Sequence, residues 1–137
     1  PGWLDIPLKK TIRVFALSMG NPHAIVWVDS IDTYPVAEMG RAISKHALFP
    51  HETNVGFMQV VDQHTIRLRT YERGVGETCA CGTNACAAVV AAISQKQCTS
   101  PVTVQLTLGQ LHIEYADQRV YQVGPAEKTF TGSIGVS

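Results

Sequence analysis

The chain has 137 residues, with 11 Lys and Arg against 11 Asp and Glu, so its formal charge is zero. This length suits one domain with its own hydrophobic core, and a balanced charge without a basic run argues against a nucleic-acid partner. No apolar run approaches the roughly 18 residues of a membrane span, and residues 1–10 lack the apolar centre of a signal peptide, so we expect a cytoplasmic protein without a membrane partner.

The apolar pattern, followed from the start of the chain, predicts strands interrupted by helices. Runs rich in β-branched and aromatic residues predict strands at residues 11–17, 24–28, 55–61, 65–71, 102–108, 111–115 and 120–123. Helical patterns cover residues 36–46 and 86–95. The short links Asp62-Gln63 and Gly109-Gln110 favour antiparallel hairpins. The second helix is apolar nearly all round, so we predict an α+β fold in which a curled, mostly antiparallel, barrel-like sheet wraps around a central helix.

A cysteine at the start of the second helix is the main candidate for chemistry. Cys81 lies in residues 71–92, YERGVGETCACGTNACAAVVAA, just before the first turn, where Thr83 or Asn84 can cap the helix. The partial positive charge of a helix N-terminus favours a thiolate and can lower a cysteine pKa well below about 8.5, and the same N–H groups can hold a carboxylate. The alternative is a small buried cysteine without chemistry.

The remaining cysteines, Cys79, Cys86 and Cys98, are expected to be reduced and unreactive, because a chain of this size needs no disulfide. The spacing CACGTNAC could indicate a zinc site, but no paired CxxC or HExxH motif completes a ligand set, so no metal is predicted. A thiol redox or metal-binding module remains the alternative from another functional class.

Other polar candidates lie at the ends of predicted strands. Asn21 and His23 occupy the turn SMGNPH, and Glu72 and Arg73 end a strand just before a glycine-rich loop. Each has an ordinary explanation as a turn amide, a satisfied histidine or a surface ion pair. Asn54, just before a strand, is similarly ambiguous. These residues stay candidates until they are shown to share a cleft.

Several segments together resemble one known family. The chain is similar to the carboxyl-terminal half of diaminopimelate epimerase over roughly residues 12–132, through SMGNPHAIVWV, ETNVGFMQVV, RTYERGVGETCACGTNACAAVVAA and VYQVGPAEKTFTG. The resemblance implies a cofactor-independent enzyme of lysine and peptidoglycan precursor synthesis that interconverts LL- and meso-diaminopimelate. One cysteine removes the α-proton as a thiolate, and another, on the opposite face of the carbon, donates a proton as a thiol. It also implies one lobe of a two-lobe fold, with the substrate between the lobes.

The resemblance further implies roles for individual residues. Cys81 matches one catalytic cysteine, and His23 and Glu72 match its proton-handling neighbours. The positions that match substrate-binding residues are Asn21, Asn54, Arg73, Gly82 and Thr83. The first three hold the distal end of the substrate, and the last two, at the helix start, receive the carboxylate of the reacting end. Guanidinium forks and helix N-termini both suit carboxylates.

The chain departs from the family pattern in two ways. Asn84 stands where the family commonly has Gly, and since Asn tolerates a left-handed backbone, the loop should keep its shape. The amino-terminal half, with its own cysteine, is missing, and the neighbouring cysteines are too close to Cys81 to replace it. We therefore expect residues 1–11 to be a lead-in from that lobe, residues 12–137 to be the catalytic lobe with its tail, and the chain alone to be inactive.

Two further expectations concern partners and related activities. An isolated lobe exposes apolar surface, and full-length family members form homodimers, so we expect a homo-oligomer. A related racemase, such as proline racemase, shares the cysteine-on-helix arrangement and is the alternative within the superfamily. The GNPH and ERGxGET motifs favour the diaminopimelate branch.

Overall fold

The computed structural model describes residues 2–78, 82–116, 119–123 and 131–135 of the chain. Its helices are α1 (Val36–Ser44) and α2 (Gly82–Ser94). Its strands are β1 (Gly2–Pro7), β2 (Thr11–Ser18), β3 (Pro22–Trp27), β4 (Asn54–Asp62), β5 (Thr65–Glu72), β6 (Gly76–Thr78), β7 (Val102–Leu106), β8 (Gly109–Ala116), β9 (Arg119–Val123) and β10 (Thr131–Gly135). The predicted α+β class is confirmed, and every predicted element has a counterpart. The strands β1, β6 and β10 are absent from the sequence-based prediction.

All described strands belong to one mixed sheet. Its order is β1-β2-β3-β4-β5-β7-β8-β9-β10, with β6 paired to β5. Neighbouring strands are antiparallel except β3 with β4 and β5 with β7, which are parallel. In the sequence, a helix lies between the two strands of each parallel pair, because parallel strands need a long crossover connection. The described pairings leave β1 and β10 as separate edges, so barrel-like curvature around α2 stays a prediction.

The helix α2 is buried, as its sequence predicts. Every residue from Asn84 to Ala92 is buried, and the helix packs against β2 to β5 and β7 to β9. Alanine supplies much of its surface, and these small side chains let strands approach closely from several directions. The helix begins at Gly82, earlier than the predicted residue 86. Neither helix of the described part is long and apolar enough to cross a membrane.

The other helix, α1, covers a second core on the opposite face of the sheet. Val55 and Phe57 of β4 belong to a core with Ile43 of α1. Met58, the next residue of β4, belongs to the core around α2. Because successive strand residues point to opposite faces, the central strands are covered on both sides. The strands β3 and β4 consequently contain nearly continuous apolar runs, AIVW and VGFM.

Gly40, in α1, makes room for Tyr71 of β5. A Cβ built on Gly40 would lie 2.4 Å from the Tyr71 Cβ. Alanine normally favours a helix over glycine by up to about 1 kcal/mol, but overpacking costs about 1–3 kcal/mol, so we expect Gly40→Ala to lower the free energy of unfolding in urea. Gly2→Ala is the matched control, because a Cβ there meets nothing within 4 Å. An unchanged or raised midpoint for Gly40→Ala would contradict this packing of α1 on β5.

Candidate active site

The register of three neighbouring strands brings the polar candidates to one edge of the sheet. His23 in β3 pairs with Asn54, the first residue of β4. Glu72, the last residue of β5, lies one step beyond the last β4–β5 pair and is therefore level with Asn54. Asn21 immediately precedes β3, and Arg73 immediately follows β5. The residues that lie far apart in sequence thus meet at one end of β3, β4 and β5.

A buried chain of side-chain hydrogen bonds ties this edge to the start of α2. Thr70 Oγ1 of β5 donates to Asn84 Oδ1 over 2.9 Å, and Asn84 Nδ2 donates to His23 Nδ1 over 2.9 Å. His23 Nε2 lies 3.0 Å from Asn21 Oδ1. Thr70 and His23 are each 1% exposed and Asn84 is 0% exposed, so these bonds satisfy polar groups that water does not reach. Thr70 is absent from the sequence-based candidates.

His23 is neutral in this setting. Removal of water from around the ring, and then the positive charge of Arg73, lower the pKa of His23 from 6.5 to about 4. The hydrogen bonds agree with a neutral ring, because Nδ1 accepts from Asn84 and the single ring proton on Nε2 is donated to Asn21. A neutral imidazole adds no net charge to the site, and its one N–H group is held by Asn21 Oδ1.

Asn54 links the loop after β5 to the start of β3. Its Oδ1 accepts from the Arg73 backbone N–H over 2.8 Å, and its Nδ2 donates to the Pro22 carbonyl over 3.3 Å. The exposed Arg73 guanidinium donates to the His51 carbonyl over 3.3 Å. Among the ion pairs of the described side chains, Arg73 is not joined to Glu72, so the ordinary explanation of this dipeptide as a surface ion pair is not supported.

The start of α2 lies beside the predicted reactive cysteine. Residues 79–81, which include Cys81, lie outside the described residues, so the placement and state of that thiol stay predictions. Gly82 and Thr83 are the first two residues of α2, and Thr83 is half-buried. The first N–H groups of a helix have no partner within it and can bind an anion. The structure therefore places a potential carboxylate site immediately after the undescribed segment.

Asn84 has a different place from the helix cap that the sequence suggests. Neither Asn84 nor Thr83 can cap α2, because the helix already begins at Gly82. Asn84 is also not among the described non-glycine residues with positive φ, so its tolerance of a left-handed backbone is not used. Its backbone is helical, and its side chain forms hydrogen bonds with Thr70 and His23.

Two other cysteines are structural. Cys86 and Cys98 are both buried, and their reduced state stays a prediction. The Cys98 thiol donates to the Asp62 carbonyl over 3.5 Å, and burial, followed by the charge of Asp62, raises the pKa of Cys98. A thiol whose pKa is raised is a poor nucleophile at neutral pH. Within the described ranges, no three His, Cys, Asp or Glu residues form a metal-ligand cluster.

Solved structures of PhzF-family proteins define the class of fold. A phenazine biosynthesis protein of the PhzF family from Bacillus anthracis is similar with a TM-score of 0.59 at 23% identity, over 82% of this chain and 40% of that chain. A PhzF-family protein of Enterococcus faecalis gives a TM-score of 0.59 at 18% identity, over 79% and 40% of the two chains. At these identities the likeness is one of fold alone.

Sequence comparison identifies the family within this class. The family model of diaminopimelate epimerase matches residues 15–129. The diaminopimelate epimerase of Thioalkalivibrio sulfidiphilus is 52% identical over 130 residues, and that of Pseudomonas entomophila is 51% identical over 136 residues. These alignments cover 93% and 96% of this chain but 47% and 49% of the relatives. The chain belongs to the diaminopimelate epimerase family and spans about half the length of the curated relatives it matches.

Burial of a neutral His23 makes the free energy of unfolding depend on pH. Because its pKa is about 4 in the folded chain, against 6.5 for an exposed histidine, the unfolded chain binds more protons between these values. The free energy of unfolding is therefore highest above pH 6.5, where the ring is neutral in both states. It should fall by about 3 kcal/mol in total as the pH is lowered from 6.5 to about 4. Urea unfolding at a series of pH values measures this slope.

The matched variants separate His23 from the other histidines. His23→Gln should remove this part of the slope, whereas His51→Gln, at an exposed position, should retain it. Equal slopes for the wild-type chain and His23→Gln would contradict the burial of a neutral ring.

Proposed function

We propose that this chain is the carboxyl-terminal catalytic lobe of a diaminopimelate epimerase, which interconverts LL- and meso-diaminopimelate for lysine and peptidoglycan precursor synthesis. The observation that carries the proposal is the meeting of His23, Asn54 and Glu72 at one sheet edge, which Asn84 ties to the start of α2. Family membership supports the reaction class. In this proposal the chain holds half of the site, and a second lobe supplies the rest.

The proposed reaction moves a proton between two sulfur atoms and one carbon. The Cys81 thiolate forms an S–H bond as the α-carbon C–H bond breaks, and the electron pair stays on the carbon. A thiol of the other lobe then donates its proton to the opposite face and becomes a thiolate, which inverts the configuration. The reverse direction exchanges the two roles. Base and acid are both cysteines, so the reaction calls for neither pyridoxal phosphate nor a metal.

The start of α2 is the proposed site for the charge that develops. A proton on carbon beside a carboxylate is weakly acidic, so donors must already point at the position of the new negative charge. The N–H groups of Gly82 and Thr83 are suitable donors, because they have no partner within the helix. Cys81, directly before Gly82, would lie at the same positive end, which favours its thiolate. Closure of two lobes would exclude water and strengthen these interactions.

The surrounding side chains complete the proposed site. Glu72 and His23 would lie beside the cysteines, and His23 would be neutral with its proton on Nε2. Asn21, Asn54 and Arg73 would bind the distal end of the substrate. The Arg73 guanidinium is exposed and attached to a backbone that Asn54 fixes, which suits a carboxylate clamp. The amide of Asn21 would offer its Nδ2 donor to the substrate while Oδ1 holds His23.

The remaining features of the proposal concern the whole protein. Residues 12–137 would form one of two similar lobes, with the sheet curled around α2, and residues 1–11 would lead in from the other lobe. The substrate would lie in the cleft between the lobes, and the complete enzyme would be a cytoplasmic homodimer.

Deuterium incorporation at the α-carbon tests the proposed function. This chain is joined in cis to the amino-terminal half of the Pseudomonas entomophila relative, which is 51% identical over the shared part, and is incubated with LL-diaminopimelate in heavy water. The joined protein should form deuterated meso product, and the isolated chain should not. Cys81→Ser should slow exchange by about 10²- to 10⁴-fold, because a proton-transfer group is lost. Cys98→Ser is the matched control, since this buried thiol belongs to the core and should leave exchange unchanged.

Each contrary outcome has a separate meaning. Exchange by the isolated chain would contradict the two-lobe site. Exchange of proline but not diaminopimelate would place the chain with the racemases. A joined protein without either activity, beside a fully active relative, would contradict the proposed function.

Arg73→Lys in the joined protein tests the distal clamp. Lysine keeps the charge but loses the fork, so KM for diaminopimelate should rise about tenfold while kcat changes little, as expected for loss of a charge-assisted hydrogen bond of about 1.5–3 kcal/mol. Arg67→Lys is the control in the same strand region, because Arg67 binds Asp32 through two exposed hydrogen bonds. A fall in kcat with unchanged KM would contradict the assignment of Arg73 to substrate binding.

A further inference from the structure

Asn84 is a polar residue in the buried part of an otherwise apolar helix. It is 0% exposed, and alanine, valine and cysteine form the rest of the buried run in α2. A buried amide costs about 1–3 kcal/mol unless it is hydrogen-bonded. The packing of α2 does not explain why residue 84 carries an amide, so we attribute it to the hydrogen bonds that the amide forms.

The sheet provides a space for this amide. A Cβ built on Gly56 of β4 would lie 2.5 Å from Asn84 Oδ1. Gly56 pairs with Ile25 of β3 on one side and with Thr70 of β5 on the other, so the amide lies over the middle of three strands. Glycine weakens the interior of a strand and often marks a close approach. Here the group that approaches is the carboxamide of Asn84.

The hydrogen bonds of the amide run in one direction. The Thr70 hydroxyl donates to Asn84 Oδ1, which turns the amino group of Asn84 towards His23. An amino group can only donate, so Nδ1 of His23 must accept and cannot carry a proton. The ring proton is left on Nε2, which donates to Asn21. The protonation of the two ring nitrogens is thus set by a residue of the helix and a residue of the sheet.

We propose that Asn84 is a positioning residue that holds His23 as the neutral Nε2–H tautomer, so that His23 acts as a hydrogen-bond donor and not as a general base. The consequence for catalysis rests on the proposed function. A ring whose Nδ1 lone pair is occupied by Asn84 and whose Nε2 already carries a proton has no nitrogen ready to accept another. The Nε2–H donor is already held by Asn21 Oδ1, so it would stabilise a nearby thiolate by sharing its proton between the two acceptors, without a proton changing place.

Nitrogen NMR of the wild-type chain tests the tautomer directly. With ¹⁵N-labelled histidine at neutral pH, long-range ¹H–¹⁵N spectra should show His23 Nδ1 with the shift of an unprotonated nitrogen and Nε2 with that of a protonated one. His23→Gln assigns the signals. A protonated Nδ1 in the wild-type chain would overturn the proposal without any variant of Asn84.

Two substitutions then ask whether Asn84 is the cause. Asn84→Asp replaces the donor by an acceptor, so the ring proton should move to Nδ1 or the ring should become charged. Thr70→Val removes the group that orients the amide and should give a mixture of tautomers, whereas Thr70→Ser keeps a hydroxyl and should restore the wild-type spectrum. Ser94→Ala, at the other end of α2, is the control that leaves His23 unchanged. A wild-type His23 spectrum in a folded Asn84→Asp or Thr70→Val chain would overturn the proposal.

A kinetic measurement separates this proposal from the proposed function. In the joined two-lobe protein, Asn84→Asp should lower kcat for diaminopimelate about 10- to 100-fold with KM nearly unchanged, because a misdirected donor acts on the chemical step. Unchanged kcat would overturn the catalytic part of the inference. If the NMR results hold and the joined protein has no epimerase activity, the proposed function fails and the control of His23 by Asn84 stands. If the joined protein is active and Asn84→Asp leaves the His23 spectrum unchanged, the proposed function stands and this inference fails.

Discussion

The structure depends on the burial of a helix that has almost no polar face. A helix of this kind is stable in water only when other elements cover it, and α2 packs against β2 to β5 and β7 to β9. The strands that meet its first turn, β3, β4 and β5, therefore bring their polar ends close to it. Burial then requires every polar group at this junction to find a partner, and the bonds among Thr70, Asn84, His23 and Asn21 provide those partners. Packing and the candidate chemistry thus have one common origin.

The fold is predictable from the sequence where the pattern is local. Hairpins such as β4–β5 follow from two apolar runs and a short link, and the covered helix follows from its uniform apolarity. The strand β1 is absent from the prediction because its apolar residues Trp3 and Leu4 are partly exposed at the sheet edge and give no clear alternation. The contacts of Trp3 with Phe15 and Trp27 are visible only in three dimensions. The strand β6 has three residues, too few for a periodic signal. The parallel pairs depend on crossovers whose partners no local pattern specifies.

The site is predictable in part, for a similar reason. Motif resemblance names His23, Asn54 and Glu72, but only the strand register places them level with one another. Thr70 looks like any strand threonine in the sequence, since its one distinguishing feature is an amide that lies 14 positions further along the chain. The sequence offers two signals of this contact, Gly56 inside β4 and Asn84 inside an alanine-rich helix. Each is informative only when the other is known to lie against it. Such complementarity across elements requires three-dimensional information.

The hydrogen bonds at this sheet edge would organise this half of the proposed site before a second lobe is added. Asn54 holds the Arg73 backbone, and Asn84 holds His23, through bonds that lie entirely within this chain. Both amides are buried, so no second lobe is needed to remove their water or fix their orientation. A donor that is already oriented costs no reorganisation when charge develops beside it. In the proposed reaction a second lobe would enclose the opposite face of the bound carbon atom, whereas the orientation of His23 rests on hydrogen bonds within this chain.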